Sequence, residues 1–284
     1  DSGGDIRGGG EGLDRDRLIF LEGNMDYKQG IDVSKWQGEV DWAKVKAAGV
    51  DFAMLRAGYG QGTADSEFAK NAAGCEAAGL PYGVYWFSYA YSAETAAAEA
   101  AACLKAIEGR KISYPVAFDF EGDSVEYAEK RGVNVTKELV SSMARAFCSA
   151  VEAAGRYAMV YTNPNFLARY FDGEIPRQYD IWLAQWPSQP DPASPPAAAG
   201  GMWQYSSAGS VPGISGRVDL DAAYRDYPAI IAAMGAPETP AAETEADRAR
   251  EWVMERGISD GTNGDAAATR QQVWVMLYRM NGGK

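Results

Sequence analysis

The feature that most constrains the fold is an alternation of short apolar segments with helix-like segments that begins at residue 30. The segments GIDVS (30–34), FAMLRAG (52–58) and YGVYWFSY (82–89) have the length and composition of strands, and a stretch with helical spacing of apolar residues follows each of them. The same order continues with YPVAFDFEG (114–122), a long helical stretch and RYAMVYTN (156–163). Strands that alternate with helices pair in parallel, so this pattern predicts an α/β fold.

The helical pattern ends after the short segment PNFLARY, whereas strand-like segments continue. YDIWLAQW (179–186), GMWQYSS (201–207) and GRVDLDAAY (216–224) are joined by loops rich in Pro, Ser and Gly. Eight strands with about five helices predict an irregular (β/α) barrel whose ring of helices is incomplete on one side. Four helical stretches end at a glycine, as expected of C-terminal helix caps: Gly49, Gly79, Gly109 and Gly155.

Changes in composition divide the chain into four parts. Residues 1–28 begin Gly- and Asp-rich without periodicity and are predicted to be a flexible leader, and residues 29–234 form the predicted barrel. Residues 235–246, rich in Pro, Ala, Thr and Glu, read as a linker. Residues 247–284 contain two amphipathic helical stretches, so we expect a small helical appendage with little core of its own.

The amino-acid composition limits the kinds of catalytic and binding site that the barrel can carry. The chain has no histidine, which argues against Ser-His-Asp and Cys-His nucleophiles and most catalytic zinc sites. Its net charge of −12, without a basic run, argues against nucleic-acid binding. The side chains that remain for acid–base catalysis are carboxylates, tyrosines and lysines, and the chain is rich in the first two. Neither a metal nor a cofactor is expected; a divalent cation held by carboxylates is a minor alternative.

The spacing of the cysteines and the length of the apolar runs also restrict the classes to which this protein can belong. Cys75, Cys103 and Cys148 lie in helical patterns rather than in C-x-x-C spacing, so we expect small buried residues, with one pair possible. No apolar run approaches the ~18 residues of a membrane span. The N-terminus DSGGDIRGGGEG lacks the regions of a signal peptide, so a secreted protein would have lost its signal or left the cell by another route.

Two acids, Asp119 and Glu121, stand in the strand-like segment PVAFDFEG. Because side chains alternate along a strand, both acids should face one side while Phe118 and Phe120 face the other. At the carboxyl end of a barrel strand, that side is the cleft. A single acid at this position would most simply cap a helix or form an ion pair. Burying two charges costs considerable free energy, so for this pair we favour a functional role.

Two further acids are expected at the same end of the barrel. Asp32 lies in the first strand and Asp219 in the eighth, and these strands become neighbours when the barrel closes. Crowding and an apolar wall raise the pKa of carboxyl groups, so one acid can stay protonated while another is ionised. A glycosidase requires such a pair.

Aromatic residues gather near the same strand ends, and about half are expected to line the cleft, because flat rings suit the apolar faces of sugars. The eleven are Trp36, Tyr59, Tyr85, Trp86, Phe87, Tyr89, Tyr161, Trp182, Trp186, Trp203 and Tyr205. Amides would bind hydroxyl and acetamido groups. The candidate substrate-binding residues are Trp36, Arg56, Tyr59, Tyr85, Phe87, Tyr161, Trp182, Gln185, Trp186 and Gln204.

An ordered set of motifs over residues 29–228 resembles glycoside hydrolase family 25, the Chalaropsis-type lysozymes. The motifs are GIDVSKWQGEVDWAKVKAAGVDFAMLRAGYG, AAGLPYGVYWFSYA, YPVAFDFEG, MVYTNPNFL, DIWLAQW, MWQYSS and VDLD. The resemblance implies an irregular barrel of eight strands and five helices. It also implies cleavage, with net retention, of the β-1,4 bond between N-acetylmuramic acid and N-acetylglucosamine in peptidoglycan.

By the same resemblance, Glu121 is the general acid, and Asp119 stabilises the cationic transition state as nucleophile or by orienting the substrate's acetamido group. Asp32 and Asp219 match the supporting acids. Trp86 stands where many members have His, which implies altered subsite contacts. The expected partner is the peptidoglycan glycan strand, met outside the cell or in the wall after secretion or phage release.

The C-terminal residues 247–284 are similar to the second half of an S-layer homology repeat, with W-x-x-x-x-G-I-x-x-G and T-R-x-x motifs. Such repeats anchor proteins to cell-wall polymers, so the segment is expected to target the wall; a plain helical appendage or a dimerisation element is the alternative. Two rival functions also stay open: a non-catalytic wall-glycan-binding protein, and a glycosidase acting on chitin.

Overall fold

The computed structural model describes residues 27–234 together with Trp252 and Leu277, and the chain divides into two compact units after Met234. The predicted leader lies outside the described residues except for its last two positions, and the first strand already begins at Lys28. The predicted linker and C-terminal segment also lie outside them, apart from single helical positions at Trp252 and Leu277.

Nine strands form one sheet, and eight of them close a barrel. The strands are β1 (Lys28–Val33), β2 (Phe52–Tyr59), β3 (Thr63–Ala64), β4 (Tyr82–Phe87), β5 (Val116–Asp119), β6 (Ala158–Thr162), β7 (Asp180–Ala184), β8 (Met202–Gly209) and β9 (Val218–Ala223). The order around the barrel is β1-β2-β4-β5-β6-β7-β8-β9, and β9 pairs again with β1. The two-residue β3 only extends β2 as a hairpin.

The last strand departs from the parallel order. Among the eight strands of the barrel, all pairs from β1 to β8 are parallel, whereas β9 is antiparallel to both of its neighbours. The connection from β8 to β9 is short and has no helix, and such a connection reverses the chain direction. The start of β9 therefore lies at the same end of the barrel as the carboxyl ends of the other strands.

Eight α-helices occur within residues 27–234, three more than the sequence indicated. They are α1 (Trp42–Ala47), α2 (Phe68–Ala78), α3 (Ala93–Ala106), α4 (Gly122–Glu129), α5 (Lys137–Ala153), α6 (Pro164–Tyr170), α7 (Ile175–Gln178) and α8 (Tyr227–Met234). The additional helices are α4, α7 and α8, and their sequences GDSVEYAE, IPRQ and YPAIIAAM show no sustained apolar period. No helix lies between β7 and β9, so the helical ring is incomplete there, as predicted.

Local sequence signals explain the ends of the longest helix, α5. The Thr136 side chain accepts a hydrogen bond from the backbone N–H of Leu139 at the start. At the end, Gly155 has a φ of 69°, a conformation that costs glycine little. The other three predicted cap glycines also have positive φ, which confirms these helix ends.

Two apolar layers hold the barrel together. One layer lies between strands and helices, where Phe118 of β5 packs on Phe147 of α5 with ring centroids 5.2 Å apart. The other fills the barrel itself with residues such as Met54 and Met159. Tyr227 of α8 packs against this inner layer and donates a hydrogen bond to Asp180, 3.1 Å.

The three cysteines are buried free thiols. The described part of the chain has no helix that is both long and apolar enough to cross a lipid bilayer.

Candidate active site

Strand register builds one wall of a cleft at the carboxyl end of the barrel. Phe87 of β4 lies opposite Asp119 of β5, which lies opposite Tyr161 of β6, and Tyr161 lies opposite Trp182 of β7. Neighbouring positions in a sheet project to the same face. These four side chains therefore form a continuous row that lines the cleft.

The two acids of the fourth predicted strand reach the cleft, and the two Phe rings face the helices, as expected. Strand β5 ends at Asp119, and Glu121 is the N-cap of α4 with extended φ and ψ of −129° and −166°. The alternation of sides therefore continues two residues beyond the last sheet pairing. Asp119 is more deeply enclosed than expected, with only 4% of its surface exposed.

Asp32 and Asp219 meet because the barrel closes. The two residues are directly opposite each other in the antiparallel pair β1–β9, and both line the cleft. All four predicted acids thus lie in one site. No group of three or more acidic or cysteine side chains within residues 27–234 is arranged to hold a metal ion.

Eight of the ten candidate binding residues line the same cleft: Trp36, Arg56, Tyr85, Phe87, Tyr161, Trp182, Trp186 and Gln204. Tyr59 and Gln185 do not. Tyr59 packs near the cations of Lys35 and Arg56, and Gln185 is exposed while its carbonyl accepts a hydrogen bond from Trp203. Ser34 and Gln37, which the sequence did not indicate, complete the lining.

Six of the eleven aromatic residues line the cleft, in agreement with the expected half. Trp86 is not one of them. Its ring is buried between barrel and helices, and its indole N–H donates to the carbonyl of Gly60, 3.0 Å. The expectation that Trp86 alters a subsite is therefore wrong, because strand alternation turns Trp86 away from the cleft and presents Tyr85 and Phe87.

Burial and mutual repulsion raise the pKa of the acids at the centre of the cleft. Burial raises the pKa of Asp119 well above its usual range and Glu121 adds to the increase, while the Arg56 guanidinium opposes it. Burial also raises the pKa of Glu121, hydrogen bonding to Tyr161 opposes the increase, and the charges of Asp123 and Asp219 add to it. Two adjacent, largely enclosed carboxyl groups cannot both ionise readily, so this pair holds a proton to a higher pH than two exposed carboxyl groups would.

The acids on β1 and β9 show the same behaviour. Burial raises the pKa of Asp32 well above its usual range, with contributions from Asp221 and Asp219. Burial raises the pKa of Asp219 to about 6. The end of the barrel thus holds several carboxyl groups that keep protons at a pH where exposed carboxyl groups have lost them.

Gln204 forms hydrogen bonds with three other residues that line the cleft. Its amide nitrogen donates to Asp32, 2.7 Å, and its amide oxygen accepts from the Tyr161 hydroxyl, 3.0 Å, and from the Trp186 indole, 3.1 Å. With 3% exposure, this amide is enclosed, and its hydrogen bonds are not open to competition from bulk water.

Sequence reasoning missed two buried acids that support the site. Asp221 of β9 is fully buried and accepts a hydrogen bond from the indole N–H of Trp182, 2.7 Å. Its position two residues after Asp219 was a usable signal, because both must face the barrel interior. Asp65, which pairs with Arg56, follows a two-residue strand that has no recognisable pattern.

Comparisons with known proteins agree with this geometry. The model of glycosyl hydrolases family 25 matches residues 31–214. Lysozyme M1 of Streptomyces globisporus is 31% identical over 202 residues, which are 67% of this chain and 66% of that protein. The autolytic lysozyme of Clostridium acetobutylicum is 30% identical over 196 residues, which are 68% of this chain and 55% of that protein.

A solved structure shares the fold. The modular autolysin LytC from Streptococcus pneumoniae, in complex with synthetic peptidoglycan ligand, superimposes with a TM-score of 0.61 at 27% identity. The match covers 69% of this chain and 46% of LytC, so the chain spans less than half of that autolysin. The family match covers more than half of the present chain and includes the strands that carry Asp32, Asp119, Tyr161 and Trp182. The chain therefore belongs to glycosyl hydrolases family 25.

Proposed function

We propose that this protein is a lysozyme that hydrolyses the β-1,4 bond between N-acetylmuramic acid and N-acetylglucosamine in peptidoglycan. The relatives named lysozymes and the autolysin solved with a peptidoglycan ligand support this substrate. The observation that carries the proposal is that the buried Asp119 and the partly buried Glu121 lie together in an aromatic-lined cleft, because such a pair can divide the acid and anionic roles of a glycosidase.

Glu121 is assigned as the general acid. Its carboxyl is only partly buried, so a leaving oxygen in the cleft can reach it, and its raised pKa keeps the proton bound to a higher pH than in an exposed carboxyl group. As the glycosidic bond breaks, this proton passes to the leaving oxygen. The resulting carboxylate can then take a proton from the water that completes hydrolysis.

Asp119 is assigned as the group that stabilises the positive charge on the sugar ring. Its Oδ1 atom is buried and has no hydrogen-bond partner within residues 27–234. An unsatisfied buried oxygen is costly, and a substrate group can provide the missing partner. Arg56 favours the ionised form of this carboxyl, and so does developing positive charge in the substrate.

Two routes use Asp119, and both give net retention. Asp119 can attack the anomeric carbon to form a glycosyl-enzyme ester, which water then hydrolyses. Alternatively, Asp119 accepts a hydrogen bond from the acetamido N–H while the acetamido oxygen attacks that carbon. In either route the charge on Asp119 is needed.

Asp32 and Asp219 serve as supporting acids, and the aromatic residues bind sugar rings. Asp32 holds the Gln204 amide, and Asp219 adds negative potential next to Glu121. Trp36 and Trp186 are 76% and 56% exposed, so their rings are available at the rim for the apolar faces of sugars. Trp182 and Tyr85, whose rings meet edge to face at 5.8 Å, line the interior.

The cell wall is the proposed place of action, reached from outside the cell or after phage-driven release. We assign residues 247–284 as a wall-targeting segment on the strength of their S-layer-homology-like sequence. In this arrangement the barrel cleaves the glycan while the C-terminal segment binds wall polymers and holds the enzyme near its substrate.

Digestion of purified peptidoglycan tests the proposed reaction. Mass spectrometry of the products should find new reducing ends that carry N-acetylmuramic acid. New ends that carry N-acetylglucosamine would show a different bond specificity. Binding to the wall without release of fragments would instead support a non-catalytic glycan-binding protein.

A further inference from the structure

Aromatic side chains lead out of the cleft and across α4. Phe87, which lines the cleft, meets Tyr89 with ring centroids 5.2 Å apart, and Tyr89 meets Tyr127 of α4 at 4.8 Å. The guanidinium of Arg131 lies over the Tyr127 ring, with Cζ 3.5 Å from the ring centroid. We call these four residues the aromatic row. Its rings are partly exposed and Arg131 is exposed, so the row forms a continuous surface that begins in the cleft.

Hydrogen bonds hold the middle and the outer end of the aromatic row. Tyr89 lies in the loop after β4, and its backbone N–H donates to Oε1 of Glu99, 3.0 Å. Glu99 is fully buried on α3, and the same oxygen accepts from the Gln61 side chain, 3.2 Å. At the outer end, Arg131 donates to the Tyr127 hydroxyl, 2.6 Å. A surface held in this way loses little conformational entropy when it binds a ligand.

Arg131 has no acidic partner within residues 27–234. Its contacts there are with Tyr127 and with the ring of Tyr91, whose centroid is 5.7 Å from Cζ. The neighbouring cation Lys130 is paired with Glu126, 2.6 Å. The outer end of the aromatic row therefore presents an exposed positive charge that is available to an anion.

The lining of the cleft has the opposite character. Four acids line it, and the one cation of residues 27–234 that lines it, Arg56, is paired with Asp65. An anionic group on the substrate is repelled by this lining and attracted to a cation outside it. The charges thus favour a ligand whose uncharged part lies in the cleft and whose anionic part lies at Arg131.

The proposed substrate brings such a group close to the start of the row. Phe87 lies opposite Asp119, which is assigned to the ring of N-acetylmuramic acid. In peptidoglycan the lactyl group of this sugar carries a short peptide, the stem, with free carboxylate groups. The contacts from Phe87 to Arg131, placed end to end, reach about 14 Å at most, and about four extended residues span that distance.

We propose that the aromatic row binds the peptide stem of N-acetylmuramic acid, with a stem carboxylate on the Arg131 guanidinium and the peptide along the rings of Tyr89 and Tyr127. A guanidinium suits this role because it can donate two parallel hydrogen bonds to one carboxylate. The row then favours glycan strands that carry stems over bare strands and over chitin. This inference rests on the proposed function, since it takes peptidoglycan as the substrate.

Two soluble substrates test the proposal: glycan fragments that carry stems, and the same fragments after enzymatic removal of the stems at the lactyl amide. For fragments with stems, Arg131→Gln should lower kcat/KM about fivefold through a higher KM, the loss expected for one exposed ion pair. Cleavage of bare fragments should not change. Equal losses on both substrates, which would place the lactyl carboxylate or the sugars on Arg131, would overturn the inference, as would no loss on either.

Arg169→Gln is the matched control, because Arg169 is also an exposed cation over a tyrosine, 4.9 Å from the Tyr170 ring centroid, but lies on α6. It should affect neither substrate, and a loss equal to that of Arg131→Gln would refute a specific contact. Arg131→Lys keeps the charge and should lose less than Arg131→Gln. Thermal unfolding confirms that each variant is folded. An unmodified protein that cleaves neither substrate would instead overturn the proposed function.

Discussion

Arg56 and Asp65 form an ion pair at the edge of the cleft, with Nη2 of Arg56 2.7 Å from Oδ2 of Asp65 and both side chains nearly enclosed. Asp65 also accepts the Nε–H of Arg56, 2.7 Å, and the backbone N–H of Lys35, 3.1 Å. One carboxylate thus joins the end of β2 to the turn that carries Trp36. The arrangement holds the Arg56 cation near Asp119 while keeping the cation paired with another acid.

Replacing Asp65 by Asn should destabilise the protein by about 3 kcal/mol, because it leaves the enclosed Arg56 cation without its counter-ion. Urea unfolding measures the change. The double variant Arg56→Gln/Asp65→Asn is the control, and it should be less destabilised than the sum of the two single variants. Additive losses would show that the two residues do not act as a pair.

Replacing Glu121 by Gln should reduce kcat by about a thousandfold, because the amide cannot supply a proton to the leaving oxygen. Hydrolysis of soluble peptidoglycan fragments measures the loss, and thermal unfolding checks the fold. Asp123→Asn is the matched control, because Asp123 is an exposed acid only two residues away. Near-normal activity of Glu121→Gln would mean that another group is the acid.

Replacing Asp219 by Asn should stabilise the protein at pH 7 and have little effect at pH 4. Burial raises the pKa of Asp219 from its ordinary value of 3.8 to about 6, so its contribution to stability is present below pH 4 and is lost as the pH rises through 6. Asn has no proton to lose. The expected gain at pH 7 is about 1 kcal/mol after allowance for partial exposure.

The exposed acid Asp41 provides a control, because its contribution to stability should change with pH in the opposite direction. Hydrogen bonds from Lys44 lower the pKa of Asp41, so the stability that Asp41 contributes is present at neutral pH and is lost as the pH falls. Asp41→Ala should therefore be more destabilising at pH 7 than at pH 3. If Asp219→Asn had the same effect at pH 4 and pH 7, the raised pKa of Asp219 would be refuted.

Replacing Phe118 by Ala should cost about 3–5 kcal/mol of unfolding free energy, because the ring is fully buried between β5 and α5 and leaves a cavity. The control Phe166→Ala, at a partly buried ring on α6, should cost less. Equal losses in urea unfolding would contradict the assignment of Phe118 to the tightly packed layer between β5 and α5.

A chain that ends at residue 234 should cleave soluble peptidoglycan fragments with unchanged kcat/KM, because all residues that line the cleft lie before that point. It should bind intact cell walls less well if the C-terminal segment targets the wall. Co-sedimentation with purified walls measures binding. Equal binding of the two chains would favour a helical appendage without a targeting role.

Local patterns predicted most of the barrel, because each strand and long helix has its own period and cap. The Phe118/Asp119 alternation and the cap at Gly155 are examples in which a few residues suffice. The helices α4, α7 and α8 were missed because their sequences show no sustained apolar period. Trp86 was misplaced because aromatic residues suit both faces of a strand in a barrel.

The sequence by itself therefore determined the class of fold and the family, and it indicated four of the acids that line the cleft, since these depend on residue types at local spacings. Only the tertiary structure decided which carboxyl groups lie together in the cleft and which side chains form hydrogen bonds to them. Asp32 meets Asp219 because β9 closes the barrel in the antiparallel sense, and Gln204 reaches Tyr161, 43 positions away along the chain, because β6 and β8 curve around one cleft. Hydrogen-bond direction and pKa depend on such contacts between distant segments, and no local period in the sequence records them.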